Sequence, residues 1–310
     1  MAGSYDQGLI PLFTAQYSTN LDLLLQQKGS MLRSYCDEGF HVGKMASPIN
    51  QIAPIQAKSP AGRFAPKQRT DSTFVRRWVF PIEKEIDQLI DSFDELQTIV
   101  DPKSGYTVNA AYAVGRAWDD EILSATTRTA YLGVDAGGLT SETFSTTNFQ
   151  IAVNFNAGTN TGLTVDKLIE TKRILRHYHN DLDMEQVVIA IGSQQEADLL
   201  RQVQVVSTEF NDRPVLVDGK VKRFLGVDIV CLERVPQSTV GSVRGCVAWV
   251  KSGVYLGIWQ DMINRISIAN WLSSEPWDLY TKAMFGATRT QPGKVIQVLC
   301  ADTTGADVTP

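Results

Sequence analysis

Residues 46–80 read ASPINQIAPIQAKSPAGRFAPKQRTDSTFVRRWVF, and this stretch decides the fold. Pro48, Pro54, Pro60 and Pro66 recur at regular intervals. Proline removes a backbone donor and resists helix interiors, so no helix runs through the segment. Apolar side chains are thin from Gln56 to Thr73. The charge is one-sided: Lys58, Arg63, Lys67, Arg69, Arg76 and Arg77 are opposed only by Asp71. Phe74-Val-Arg-Arg-Trp-Val-Phe80 then has strand composition. The pattern predicts a long two-stranded excursion with little core of its own. An isolated hairpin is marginal in water, so it must lie on something else, and another subunit is the expected support.

Outward from the excursion the chain becomes regular. Over 81–104, Ile86, Leu89, Ile90, Phe93, Leu96 and Ile99 fall at helical spacing with acids opposite, which predicts a helix ended by Asp101-Pro102. Residues 106–130 predict the clearest helix, with Val108, Ala111, Tyr112, Gly115, Trp118, Ile122 and Ala125 on one face. At about 1.5 Å per residue it spans on the order of 37 Å. Asp119, Asp120 and Glu121 form an acidic cluster halfway along it. Adjacent helix positions diverge by about 100°, so the three cannot converge on one substrate atom; a solvated or subunit-facing ridge is expected. Residues 134–162 are polar, with one strand-like run from Phe149 to Phe155. On the other side, residues 1–45 read as an extended arm with a short helical patch around Leu21 to Leu25.

After Thr164, a predicted N-cap, a helix runs to about Tyr178, with Asp166 in its first turn. Val187–Ile191 reads as a buried strand, and Ser193-Gln-Gln-Glu196 as a capping box opening a second helix. Strands are expected at 215–217, 224–232, 243–250, 254–259, 266–271 and 295–299, with Asp218-Gly219 a tight turn. Helices and strands alternating from 164 to 275 predict one compact mixed domain.

The whole chain has 310 residues, enough for one large or two modest domains and for a sizeable core. It is 43% hydrophobic and 20% charged, a globular balance that excludes wholesale disorder. The net charge of −5 argues against a globally basic nucleic-acid coat. That charge is uneven: residues 1–80 hold 9 basic and 5 acidic side chains, residues 81–135 hold 4 and 11. A basic segment beside an acidic one invites pairing, within a chain or between copies. Cys36, Cys231, Cys246 and Cys300 form no CxxC pair, so a zinc ribbon fails and reduced thiols are expected. The start has no signal-peptide pattern, and no apolar run approaches the roughly 18 residues that span a bilayer.

Chemical motifs are sparse. His177-Tyr-His179-Asn-Asp181-Leu-Asp183 collects two imidazoles and two carboxylates, but a spacing of two puts the histidines on different helix faces. A helix C-terminus and polar turn is the expected reading. No GxxxxGK[ST], GxGxxG or GxSxG occurs. The basic run over 58–77, interleaved with Phe64, Phe74 and Trp78, has the composition of a single-strand nucleic-acid binder. The acidic remainder favours intersubunit contact instead.

The order of these elements carries a resemblance. An arm is followed by a proline-punctuated basic excursion, then by a long helix with Tyr106 to Ala113, Arg116 and Asp119-Asp120. A mixed domain follows, entered by Leu163-Thr-Val-Asp-Lys-Leu-Ile169 and containing Phe224-Leu-Gly-Val-Asp-Ile-Val230. The ending is Met284-Phe-Gly-Ala-Thr-Arg289, then Gln291-Pro-Gly-Lys-Val-Ile296. Over about residues 30 to 300 the chain resembles the major capsid proteins of tailed bacteriophages, of the Hong Kong 97-type fold. The resemblance implies an α+β fold with an N-terminal arm (1–45), an extended E-loop (46–82), and a peripheral P-domain (83–163) holding the spine helix at about 106–130. It further implies an axial A-domain (164–285) and a return strand with the C-terminal tail (286–310). It would let the strand returning from the E-loop run on over 83–104, where periodicity reads helix.

The implied function is a shell subunit that self-assembles into pentamers and hexamers, forming an icosahedral virion shell around double-stranded DNA. No catalytic residue, cofactor or metal is expected. The implied partners are further copies of the chain, a portal, a separate scaffolding protein and, optionally, a decoration protein. Neither a membrane nor sequence-specific DNA binding is expected, and assembly is expected in the host cytoplasm. The intersubunit candidates are Lys58, Arg63, Lys67, Arg69, Arg76 and Arg77, to be met by Asp119, Asp120 or Glu121 of a neighbour. Some relatives join subunits through a Lys–Asn isopeptide bond. Lys58 and Lys67 lie in the matching excursion, but no Asn or catalytic Glu can be matched, so no such bond is assigned. The alternatives are an encapsulin-type nanocompartment shell or another phage structural or accessory protein.

Overall fold

The computed structural model describes residues 25–59, 61–64, 66–90, 102–133, 138–202, 222–238, 242–273 and 275–302. In chain order the strands are β1 (Asp37–Phe40), β2 (Ala46–Ile52), β3 (Phe74–Val79), β4 (Ile82–Ile90), β5 (Ala130–Leu132), β6 (Thr140–Glu142), β7 (Gln150–Ile151), β8 (Val187–Ile191), β9 (Arg223–Phe224), β10 (Val227–Cys231), β11 (Gln237–Ser238), β12 (Val243–Val250), β13 (Val254–Ile268), β14 (Trp277–Arg289) and β15 (Val295–Ala301). The helices are α1 (Pro102–Thr127), α2 (Thr146–Phe149), α3 (Val165–His177) and α4 (Ser193–Leu200).

The strands form three sheets, ordered β1-β13-β14-β4, β7-β15-β12-β8-β10-β9 with β11 beside β12, and β2-β3-β5-β6. The central seven-stranded sheet is covered on both faces. Leu168 and Leu175 of α3 and Leu199 of α4 pack with Val187, Ile189 and Ile191 on one side. Val188, Ala190, Val247 and Trp249 point to the other, where they join Leu32, Ile122, Leu123 and Phe285. Burial on both faces is why β8 reads as an unbroken apolar run, Val-Val-Ile-Ala-Ile. The long helix α1 lies across the sheet containing β13 and β14, with Trp118 edge-on to Phe285 at 6.1 Å.

Several elements follow the sequence closely. Thr164 caps α3 by accepting from the Lys167 amide at 3.4 Å. The strand expected over 224–232 is corrected: Leu225 and Gly226 both take positive φ and make a two-residue turn, so Phe224 ends one strand, β9, and the run resumes as β10 from Val227. The α4 cap is half of the expected box: Gly192 stands at the N-cap, and its amide donates to Gln195 Oε1 at 3.2 Å. Lys167 is a surprise. It is fully buried, and its ammonium donates to the carbonyls of Val153, Thr161, Gly162 and Leu299 at 2.8–3.0 Å. It ties α3 to the preceding loop and to β15.

The helix expected over 81–104 is corrected. Ile82–Ile90 is a strand, paired with β14 from Ile82↔Phe285 to Ile90↔Trp277. Ile82, Ile86 and Ile90 are four apart, a spacing that satisfies one helical turn and two strand repeats equally. The intervening acids decide it, because Glu83, Glu85 and Asp87 alternate outward. Phe93, Leu96 and Ile99 lie outside the described residues. Pro102 does not end a helix but begins one, at the first position, where its missing N–H costs nothing. Residues 254–268 form one strand rather than two short ones, bent by register shifts near Gln260. Only Gln150–Ile151 of the run expected at 149–155 is strand. The expected strand at 215–217, its Asp218-Gly219 turn and the helical patch at Leu21 to Leu24 lie outside the described residues.

Candidate functional site

The proline-rich excursion is a hairpin. β2 and β3 pair from Ala46↔Val79 to Ile52↔Phe74, and the Ala53 amide continues the ladder to Thr73 O at 2.9 Å. Beyond that the described residues of the limbs hold no strand and border a groove of about 570 Å³. Ile52, Ile55, Phe64 and Phe74 are 59–93% exposed. Such a row on a lone chain marks a surface awaiting a partner. Lys58, Arg63, Lys67 and Arg69 stand exposed along it. Arg69 meets Asp71 at 3.9 Å with both about nine-tenths exposed, a contact that contributes little.

The last two cations of the run belong to the base of the hairpin. Arg76 is half-buried and donates to Asn50 Oδ1 at 2.9 Å across the ladder. Arg77 is buried, forms an ion pair with Glu142 at 2.8 Å and donates to Arg289 O at 3.2 Å. Its expected role as an exposed intersubunit cation is therefore corrected: strand alternation turns Arg77 inward.

Arg289 completes this anchor. Fully buried, it donates to the carbonyls of Thr126 at 2.8 Å, Arg128 at 3.2 Å and Glu142 at 3.4 Å, over the Phe144 ring. One guanidinium thus joins the end of α1, β6 and the end of β14. Gly286 lets the hairpin approach, since a Cβ there would strike the Phe80 carbonyl. The Gly-Ala-x-Arg ending has a physical reading: a small residue to admit the hairpin base, and an arginine to lock it.

The three consecutive acids take three separate roles within the chain. Asp119 is fully buried. It accepts from Ser30 Oγ at 2.5 Å, from the Met31 and Leu32 amides at 3.0–3.2 Å, and from the Gln27 side chain. Arg116, one turn back, donates to Gln26 Oε1 at 2.7 Å. Gly115 lets the arm cross closely, because a Cβ there would meet the Gly29 backbone at 2.6 Å. Glu121 is buried and pairs with Arg128 at 2.6 Å. Asp120 is exposed and holds Arg234, whose Nε is 2.6 Å from Oδ1. The expected subunit-facing ridge is corrected for Asp119 and Glu121, which are enclosed and satisfied in their own subunit.

An acidic surface does exist elsewhere. On β4, Glu83, Glu85 and Asp87 are exposed on one face. Tyr280 donates to Glu85 Oε2 at 3.0 Å. Burial and the adjacent Asp87 raise the Asp278 carboxyl above the usual range, a sign of crowded negative charge. The sequence reading placed these acids on a helix, and strand alternation was the signal that would have aligned them. His177 ends α3 and His179 has φ +60°. Among the described residues no three His, Cys, Asp or Glu side chains are arranged to hold a metal. All four cysteines are free thiols, and no described helix is long and apolar enough to cross a membrane.

Comparison with known proteins places this architecture. The model of the family described as phage capsid protein matches residues 9–302. No curated protein matches the chain in sequence. Among solved structures, the capsid of the cyanophage P-SCSP1u superposes with a TM-score of 0.74 at 14% identity, covering 96% of each chain. The capsid of Ralstonia phage GP4 gives 0.68 at 10% identity over 97% of each chain. The cyanophage Pam1 capsid gives 0.67 at 13%, over 97% of this chain and all of that one. The chain belongs to the phage capsid protein family and is a major capsid protein with the Hong Kong 97-type fold; the nanocompartment alternative is not favoured.

Proposed function

We propose that this subunit assembles into pentamers and hexamers that close an icosahedral shell around double-stranded DNA. The single observation that carries the reading is the hairpin: a long, basic limb with exposed Ile52, Ile55, Phe64 and Phe74, anchored at its base and coreless at its tip. In this reading residues 1–45 are the arm and 46–82 the E-loop over a neighbour. Residues 83–163 and 286–310 supply the peripheral domain and tail, and 164–285 the axial domain. Lys58, Arg63, Lys67 and Arg69 are its intersubunit contacts; of the three α1 acids only Asp120 is exposed, and it is taken up by Arg234 of its own chain. The role is structural. Shells are assembled in the host cytoplasm with a separate scaffolding protein and a portal, and a decoration protein is an optional later addition.

Negative-stain electron microscopy of the purified chain, with its mass from size exclusion, tests this. Shells or five- and six-membered rings are expected. A monomer at micromolar concentration, with and without scaffolding protein, would overturn it.

A further inference from the structure

The hairpin's counterpart can be sought on the same chain's surface. β4 is an edge strand, and the face it shares with β14 and β13 carries Glu83, Glu85, Asp87 and Asp278 against Lys282 and Arg265. Leu89 and Ile263 add exposed apolar surface on that face, at 52% and 46%. The other face of this sheet packs on α1 through Ala283, Phe285 and Ala287. The hairpin limb over 53–73 has the opposite make-up: Lys58, Arg63, Lys67 and Arg69 against Asp71, with Ile55 and Phe64 exposed. Among the described residues Lys58, Arg63 and Lys67 have no carboxylate partner.

Among the described residues no ion pair joins the two surfaces within one chain: Arg69 meets Asp71, and Glu85 accepts from Tyr280. β3 leads away from the hairpin tip, and the chain continues through Phe80-Pro81 into β4. Nine residues separate Phe74 from Glu83, up to about 30 Å of extended chain, and the tip lies further still in the other direction. The acids first expected to receive the hairpin are excluded by position, since Asp119 and Glu121 are buried and Asp120 holds Arg234.

We propose that the outer face of β4 is the seat for the basic hairpin limb of a second copy of this chain, with Glu83, Glu85 and Asp87 receiving Lys58, Arg63 and Lys67. The proposal rests on the reading of 46–82 as an intersubunit arm. A limb on one surface and its seat on another make a heterologous contact, the kind that closes rings when the rotation fits. Each exposed pair is weak alone, so the match acts as a register over several charges and two apolar contacts.

The test uses charge reversals in the full chain: Lys58→Glu with Lys67→Glu, Glu85→Lys with Asp87→Lys, and all four together. All four residues are exposed, and circular dichroism of unassembled subunits checks that each variant folds. Each pair of reversals is expected to raise the concentration needed for rings or shells by about tenfold or more, and the fourfold variant to restore it to within about threefold. A Lys67→Cys, Glu85→Cys variant should give a ladder of linked subunits on a non-reducing gel after oxidation of assembled material. If reversing Lys58 and Lys67 leaves assembly unchanged, the arm reading fails and this proposal with it. If that pair blocks assembly while the β4 pair does not, the arm stands and the β4 seat is wrong. If both pairs block, no rescue occurs and no ladder forms, the seat is likewise overturned.

Discussion

Replacing Asp119 by alanine should detach the N-terminal arm from α1. The carboxylate is fully buried and gathers four donor groups from Gln27 to Leu32. Ser30 and Gln27 can turn to water, and Gln27 already donates to Gly29 O at 2.9 Å. The Met31 and Leu32 amides cannot turn, and Leu32 is itself 0% exposed in the core. An unpaired buried amide such as that of Leu32 costs about 1–3 kcal/mol, and the part-buried amide of Met31, a residue 46% exposed, adds less. Relief from burying an anion offsets part of the sum, leaving a loss of about 1–3 kcal/mol. Asp119→Asn keeps the shape and one acceptor, so about half that loss is expected. Urea unfolding of the unassembled subunit, followed by tryptophan fluorescence, reads it. Trp118 lies beside the site with Arg33 stacked 4.5 Å over its ring. At an m-value of about 3 kcal/mol/M the alanine midpoint should fall by about 0.3–1 M. Proteolysis around residues 25–32 should rise with it. An unchanged midpoint and digestion pattern, or an asparagine variant as damaged as the alanine one, would refute the reasoning.

Gly286→Ala should cost about 2–3 kcal/mol, because a backbone carbonyl cannot step aside as a side chain can, and should lower the melting temperature by several degrees. An unaltered melt would show that the Phe80 contact is not tight. Arg289→Lys should lose about 2 kcal/mol or more in denaturant, since a lysine cannot serve three carbonyls in a fork while lying over Phe144; full retention of stability would exclude the keystone role. Glu233 is held down to about 2 by the Ser193 hydroxyl and amide and by Arg244. Its folded value lies below its unfolded one. Its contribution is therefore complete above the ordinary carboxylate range and disappears as pH falls through that range toward 2. Carbon-detected titration of the Glu233 carboxyl should show this midpoint, and Arg244→Ala should move it upward.

How far the residues alone could be read depended on whether a pattern was local. The helices α1 and α3 were legible because their periodicity lies within one segment, joined in α3 by the Thr164 cap. The hairpin was legible because four prolines and a thin apolar content exclude the alternatives. β4 was not, because isoleucines four apart suit two geometries, and the choice is made by Trp277 to Phe285, nearly two hundred residues away. The divergence of Asp119, Asp120 and Glu121 around the helix was legible, but their partners were not. Ser30, Arg234 and Arg128 come from three different parts of the chain. Asp119 sits in line with Gly115 and Ile122 on the covered stripe, and that placement was the one clue that it would be enclosed.

The run from β3 into β4 has a mechanical meaning. One covalent strand leaves the hairpin, is gripped at its base by Arg77, passes Pro81, and is then stitched to β14 over nine residues. A pull along the limb therefore loads that ladder lengthwise, so its hydrogen bonds share the force together instead of opening one after another. If each limb is held by the next copy, tension in the shell crosses each subunit along unbroken backbone, as in a woven fabric, and is handed to the broad sheet lying on α1.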